Sequence, residues 1–286
     1  MNPFFAAVLI STSAGTPAAS GTPIPAATLQ MSTPTPAPEP TTAPRAQGLG
    51  SPVLFRGACE LRAGCNIIAA GIVTEAGLQP IACDDSNDAE VRGKIAARYF
   101  APGTQLDLYS RGAAVGSFEI SGETQGGHCA IRADGHKRNV PSTVMNFVAL
   151  LPEDPVKLAA LKFPGEAQAD VKDLVRMALK EAGVTATSVD LDVVRRFREA
   201  GLSMAAIDAD AGGKHVVIIA EGPGTDSSKW KIAWSSVQPQ GEARLTLVDA
   251  LDLGADGHAK ILLEKPKSEG GAEWTLLRRN GGSWKQ

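Results

Sequence analysis

What this sequence lacks is a reaction. It contains no GxSxG nucleophile elbow, no HExxH zinc-protease pair, no GxxxxGK[ST] phosphate loop and no dinucleotide-binding glycine fingerprint. Paired carboxylates for glycoside hydrolysis come from separate strands, and no two acids stand out here. Neither sign of charge predominates: the formal net charge is −3, so no basic excess draws the chain to nucleic acid or anionic lipid. No run of eighteen apolar residues occurs, so no ordinary transmembrane helix is encoded. Aromatics amount to only 5%. Cysteine is confined to Cys59, Cys65, Cys83 and Cys129, with no CxxC spacing to hold a metal.

What is present begins with an apolar stretch, Phe4 to Ile10, followed by STSAGTPAAS. Residues 1–14 match the hydrophobic region and small-residue cleavage zone of an export signal, although no basic residue precedes them. Residues 11–50 are mainly Thr, Ser, Ala, Pro and Gly. Such a segment buries too little apolar surface to offset its ordering entropy and is expected to form an extended spacer. Four cysteines in one segment of an exported chain imply two disulfides, among three possible connectivities. The expected pairs are Cys59 with Cys65 and Cys83 with Cys129. The expected location is secreted, periplasmic or at the cell envelope.

Residues 51–160 are expected to form a small disulfide-braced β-domain. LDLYSRGAAVGSFEI alternates apolar and polar residues around a turn at Arg111–Gly112, a β-hairpin pattern. CNIIAAGIV and GHCAIRAD read as further strands. VPSTVMNFVALL suits either a strand or a short buried helix. The acids of CDDSNDAEVRG (Asp84, Asp85, Asp88, Glu90) form a cluster that suits a cation or, more simply, a solvated loop. His128 beside Cys129 reads as structural, because neighbours on a strand face opposite ways.

Residues 161–286 open with the clearest helix, at 166–184. Val171, Leu174, Val175, Ala178 and Leu179 fall on one face, and Gly183 sits where a C-terminal cap belongs. LDVVRRFREAG suits a helix or a strand. A near-duplication follows. Residues 206–219 read AIDADAGGKHVVII and residues 250–263 read ALDLGADGHAKILL. A shift of 44 positions pairs Asp208 with Asp252, Gly213 with Gly257 and Trp230 with Trp274. Each copy runs strand, Asp/Gly loop, apolar strand, polar loop and Trp-bearing strand, the size of one propeller blade.

This pattern resembles the FG-GAP or VCBS repeat of integrin-α-like propellers, in two degenerate copies across residues 185–286. In that family the loop runs Asp-x-Asp-x-Asp-Gly and its carboxylates resemble a calcium loop. The resemblance therefore implies calcium at Asp208 and Asp210, and at Asp252 and Asp256. Gly212 and Gly254 stand where the pattern has an acid, which leaves tight turns as the competing reading. All four Trp residues lie here. Trp230 and Trp274, recurring at one place, suit the core, whereas Trp234 and Trp284 suit a binding surface.

The expected fold is thus mainly β (α+β): a disulfide-braced N-terminal β-domain, one connecting amphipathic helix, and C-terminal blade-like units. The expected function is a non-enzymatic envelope module that binds a protein or polysaccharide. The alternatives are a hydrolase with dispersed carboxylates in an interdomain cleft, and a purely structural envelope protein.

Overall fold

A computed structural model describes residues 51–286 apart from 61–63, 75–76, 82, 84–85, 125–128, 157, 163–164, 166–167, 242 and 268–271. The leader at 1–14, the spacer at 11–50, and Asp84, Asp85, His128 and Glu166 therefore lie outside the described residues. In chain order the elements are β1 (Val53–Glu60), β2 (Gly64–Thr74), β3 (Gly77–Gln79), α1 (Asp88–Tyr99), β4 (Gln105–Ser110), β5 (Ala113–Thr124), β6 (Arg132–Arg138), β7 (Asn146–Leu150) and β8 (Leu158–Ala159). Then come α2 (Val171–Glu181), β9 (Val189–Glu199), β10 (Leu202–Ala211), β11 (Lys214–Gly222), β12 (Lys231–Pro239), β13 (Thr246–Leu253), β14 (Lys260–Pro266), β15 (Ala272–Asn280) and β16 (Ser283–Lys285). The fold is mainly β, with disulfides in its N-terminal part.

The first seven strands run β1-β7-β4-β5-β6-β2-β3, and β1 also pairs with β2, which closes the sheet into a barrel. Closure removes the open edges that would otherwise invite foreign strands. Alternation along β4 and β5 sends Leu106, Leu108, Phe118 and Ile120 inward, where they meet Phe55, Ile67 and Phe147. Two rings of this core, Phe118 and Phe147, lie 5.6 Å apart. Gly57 makes room for the second: a Cβ there would fall 1.9 Å from its ring. The hairpin turn at Arg111–Gly112 has positive φ at both residues, 55° and 71°, as a two-residue turn of matching twist requires.

Helix α1 lies where the sequence suggests an acidic loop. Its apolar residues Val91, Ile95 and Tyr99 recur once per turn, too sparse a stripe to outweigh the turn signals of the Asp, Ser and Asn residues that precede it. Ile95 and Tyr99 are fully buried in the barrel core. The acids of this stretch serve the helix. Asp88 pairs with Arg92 at 3.1 Å and accepts the Cys129 N–H at 3.1 Å, while Glu90 pairs with Lys94. Disulfides join Cys59 to Cys65 across the β1–β2 hairpin and Cys83 to Cys129 between the α1 approach and the β6 approach.

Residues 189–239 form a four-stranded meander, β9 to β12, and residues 246–285 a second, β13 to β16, to which β8 adds a strand. LDVVRRFREAG is strand β9, and NFVAL within the ambiguous 140–151 stretch is strand β7. The two sheets pack face to face through Phe197, Met204, Val217 and Ile219 on one side and Leu247, Ile261, Leu263 and Leu277 on the other. Helix α2 covers the outer face of the first sheet with Leu174, Val175, Ala178 and Leu179, at roughly 1.5–3 kcal/mol for each large side chain buried. Asp170 caps it by accepting the Lys172 N–H at 2.7 Å. The outer face of the second sheet packs Leu251, Leu253 and Leu262 against Leu54, Val148 and Leu150 of the barrel. The second sheet is thus covered on both faces.

Candidate functional site

A cleft of about 690 Å³ opens where the β2–β3 hairpin and Pro155–Val156 meet the second sheet. Its apolar lining includes Val73, Leu78, Val156, Leu253, Leu276 and the half-buried Trp274. These residues continue the apolar layer between barrel and sheet, which supplies the floor. The polar rim comes from the β13–β14 turn, the first residue of β14 and both ends of β15: Asp256, His258, Lys260, Glu273, Arg278 and Arg279.

Most of the rim is tethered. Asp256 pairs with Lys260 and accepts the His258 N–H at 2.9 Å. Burial works to raise the Asp256 carboxyl, but the directly bonded Lys260 ammonium and the His258 N–H hold it below the usual carboxylate range. His258 Nδ1 sits 3.2 Å from the buried Glu199, although 68% of its side chain faces solvent. Arg279 is bonded to the buried Glu221 at 2.9 Å, a carboxylate also reached by Lys231 at 2.7 Å. Arg278 is exposed and has no ion-pair partner among the described residues. The mouth therefore combines an indole floor with an unspent guanidinium.

The residues singled out from sequence fall in three places. Asp252 and Asp256 shape the β13–β14 turn: Asp252 accepts the Asp256 N–H and the Gly257 N–H, one on each oxygen, both at 3.1 Å. Asp252 thus holds the turn through two backbone N–H groups and Asp256 is tied to Lys260, the work of tight-turn acids. Burial raises the Asp252 carboxyl above the ordinary range even so.

Asp208 and Asp210 are not loop residues at all. Both lie inside β10, and the turn that follows is Gly212–Gly213. They meet His215 of β11, whose Nδ1 is 3.0 Å from Asp210 and whose Nε2 is 2.9 Å from the Leu245 carbonyl oxygen. Asp208 accepts the Leu247 N–H at 2.8 Å on Oδ2. Arg244 pairs with Asp210 at 3.1 Å. Burial raises the Asp208 carboxyl, against the opposing pull of that N–H and of His215.

The tryptophans divide differently from the expectation. Trp284, expected at the surface, is 4% exposed and packs edge-on against Phe197 with ring centres 6.4 Å apart. Its polar neighbours NGGS and KQ hide this: strand β16 pairs with β15 and turns every second residue inward. Trp234 is half-buried against the inter-sheet core. Trp230 is buried beneath the helix, its Nε1–H pointing at the Pro223 and Gly224 carbonyls, each 3.2 Å away. Trp274, the counterpart of Trp230 at a shift of 44, lies instead inside β15 and lines the cleft. Its place on that face of β15 follows from strand parity, which is fixed only once the start of the strand is known. No known protein family matches this chain, and neither a curated protein nor a solved structure matches it.

Proposed function

We propose that the chain is a non-enzymatic binding module of an exported envelope protein, and that its cleft takes a segment of polysaccharide bearing acidic groups. The observation that carries this reading is Trp274 in the cleft floor with Arg278, which has no ion-pair partner among the described residues, at its mouth. An indole offers a flat apolar face to a sugar ring, while a guanidinium binds a carboxylate or phosphate in a fixed fork. Apolar walls with a few directed polar groups are the usual build of a ligand site. The two disulfides suit an oxidising compartment, and among the described residues no helix is long and apolar enough to cross a membrane. Two face-to-face meanders of four strands support the likeness to blade-like repeats as an architecture.

The hydrolase reading is less well supported. A general acid needs a raised pKa within reach of substrate. At the cleft, Asp256 is held down by Lys260, and Asp252, whose carboxyl burial raises, is not among the residues that line it.

The test is affinity electrophoresis and tryptophan fluorescence titration of the disulfide-intact chain with polygalacturonate and with a neutral glucan. Trp274→Ala and Arg278→Ala should each weaken retention by the acidic polymer at least tenfold; the exposed Arg278→Ala should leave the thermal midpoint unchanged, whereas Trp274→Ala, which removes a half-buried ring from the apolar layer, should lower it while the chain still folds. Equal retention of wild type and Trp274→Ala would sink the reading. Retention of an extended acidic peptide in place of the polymer would replace polysaccharide with protein as the ligand.

A further inference from the structure

The inter-sheet layer ends at a cluster drawn from three adjacent strands. Asp192 belongs to β9, Asp208 to β10 and His215 to β11, and one ligand atom from each lies within 4.8 Å of the other two. Two features of this cluster serve no purpose in the packing. The first is Asp208 Oδ1. The side chain is 2% exposed, yet this oxygen has no hydrogen-bond partner. It points at His215 Nε2, 3.4 Å away. A buried carboxylate oxygen left unbonded is costly, and Oδ2 alone suffices to hold Leu247.

The second is a β-bulge. Asp208 faces Val193 and Ala209 faces Leu191, so Asp192 is the extra residue on β9. Bulges re-aim a side chain, and this one turns an acid toward the other two groups.

His215 is built as a ligand is built. Its Nδ1–H donates to Asp210 at 3.0 Å, and Asp210 is itself held by Arg244. A carboxylate on one ring nitrogen fixes the ring and strengthens the other nitrogen as a donor to metal. Nε2 faces two oxygens, Asp208 Oδ1 and the Leu245 carbonyl.

We propose that His215 Nε2, Asp208 Oδ1 and Asp192 bind one divalent transition-metal ion of the zinc class, which ties together the three neighbouring strands β9, β10 and β11 of the first sheet. The ion takes the Nε2 lone pair in place of the contact to the Leu245 carbonyl, with Nδ1–H kept on Asp210. A tetrahedral ion with bonds of about 2.0–2.1 Å spaces its ligand atoms about 3.3–3.4 Å apart, which the Nε2 to Oδ1 distance already satisfies. Asp192 is exposed and free to close the remaining gap. Imidazole in the set selects zinc, cobalt or nickel over calcium, which prefers oxygen throughout. This ligand set differs from the calcium loop implied by the repeat resemblance, because two of its members come from neighbouring strands.

The experiment strips the disulfide-intact chain with chelator and titrates it with Zn²⁺ by calorimetry. Co²⁺ is then added as a spectroscopic stand-in, and Ca²⁺ as the competitor. The expected result is one Zn²⁺ per chain, a raised thermal midpoint and a tetrahedral Co²⁺ spectrum. Asp192→Ala and Asp208→Asn should abolish all three, and Asp210→Ala should weaken binding about 10–100-fold. Asp192 is exposed, and the amide of Asp208→Asn keeps an oxygen for the Leu247 N–H, so both variants should fold with the metal-free wild-type midpoint. No uptake by wild type, uptake unchanged in Asp192→Ala, or a midpoint raised by Ca²⁺ and not by Zn²⁺ would each overturn the site.

Discussion

Asp249 joins three layers of the molecule, and its removal is the most informative stability experiment. The side chain is 3% exposed on β13. It accepts the Arg195 Nε–H from β9 at 2.7 Å, the Arg111 backbone N–H from the barrel hairpin at 2.8 Å and the Ala250 N–H at 2.9 Å. Asp249→Ala leaves Arg195, itself 13% exposed, as a buried charge without its counter-ion. Breaking a buried pair from one side costs about 3–5 kcal/mol, and the orphaned Arg111 N–H falls within that range rather than adding to it in full. A body of this size loses about 2–4 °C per kcal/mol, so the midpoint should fall by about 6–20 °C. Asp249→Asn keeps an acceptor for Arg111 and should lose less. Replacing both members with apolar residues, Arg195→Met with Asp249→Leu, should recover most of the loss, because neither charge is then desolvated. The assay is calorimetry and urea unfolding of these proteins and of the single variants Arg195→Met and Asp249→Leu under non-reducing conditions. A loss below about 1 kcal/mol for Asp249→Ala, or strict additivity in an Arg195–Asp249 double-mutant cycle, would refute the reasoning.

Two further predictions concern the barrel. The Cys83–Cys129 bridge closes a loop with a sequence separation of 46, against 6 for Cys59–Cys65. Chain-entropy reasoning gives about 4 kcal/mol for the first and about 2 kcal/mol for the second. Urea midpoints of the two double-Ser variants should therefore rank in that order, and the reverse order would place the bracing in the short hairpin bridge. Asp154 is buried against Arg98 and Tyr99, and desolvation raises its carboxyl despite the guanidinium beside it. A raised folded pKa contributes stability that is present below the ordinary carboxylate value and is lost as pH rises through the folded one. The stability of wild type relative to Asp154→Asn should accordingly fall from about pH 3 to neutrality, read from paired urea titrations. A difference that grows with pH would show that Arg98 outweighs burial.

The parts of this fold legible in the sequence are those whose partners are close along the chain. The α2 stripe and the Arg111–Gly112 hairpin need only neighbours within a few residues, and both form as their patterns indicate. The site residues needed distant partners. Asp208 and Asp210 look like turn residues because Gly212 and Gly213 follow them. They are strand residues because His215 and the Leu247 N–H, 39 positions beyond Asp208, satisfy one oxygen each. Trp284 reads as exposed among polar neighbours until Phe197 covers it. Trp274 reads as core by analogy with Trp230, but the two indoles occupy different places relative to their strands. Periodicity reports which face a residue takes, and it is silent on what that face will meet.

The covering of β13–β16 on both faces sets an order of assembly. The chain lays down the barrel first, then the helix and the first sheet, and only afterwards the layer that belongs between them. During synthesis Leu54, Val148 and Leu150 of the barrel, and Phe197, Met204 and Ile219 of the first sheet, precede the residues that cover them. The last meander supplies the apolar layer against which both surfaces pack. A chain stopped before residue 246 would therefore leave two apolar faces open, and a chaperone acting on it would find its targets there.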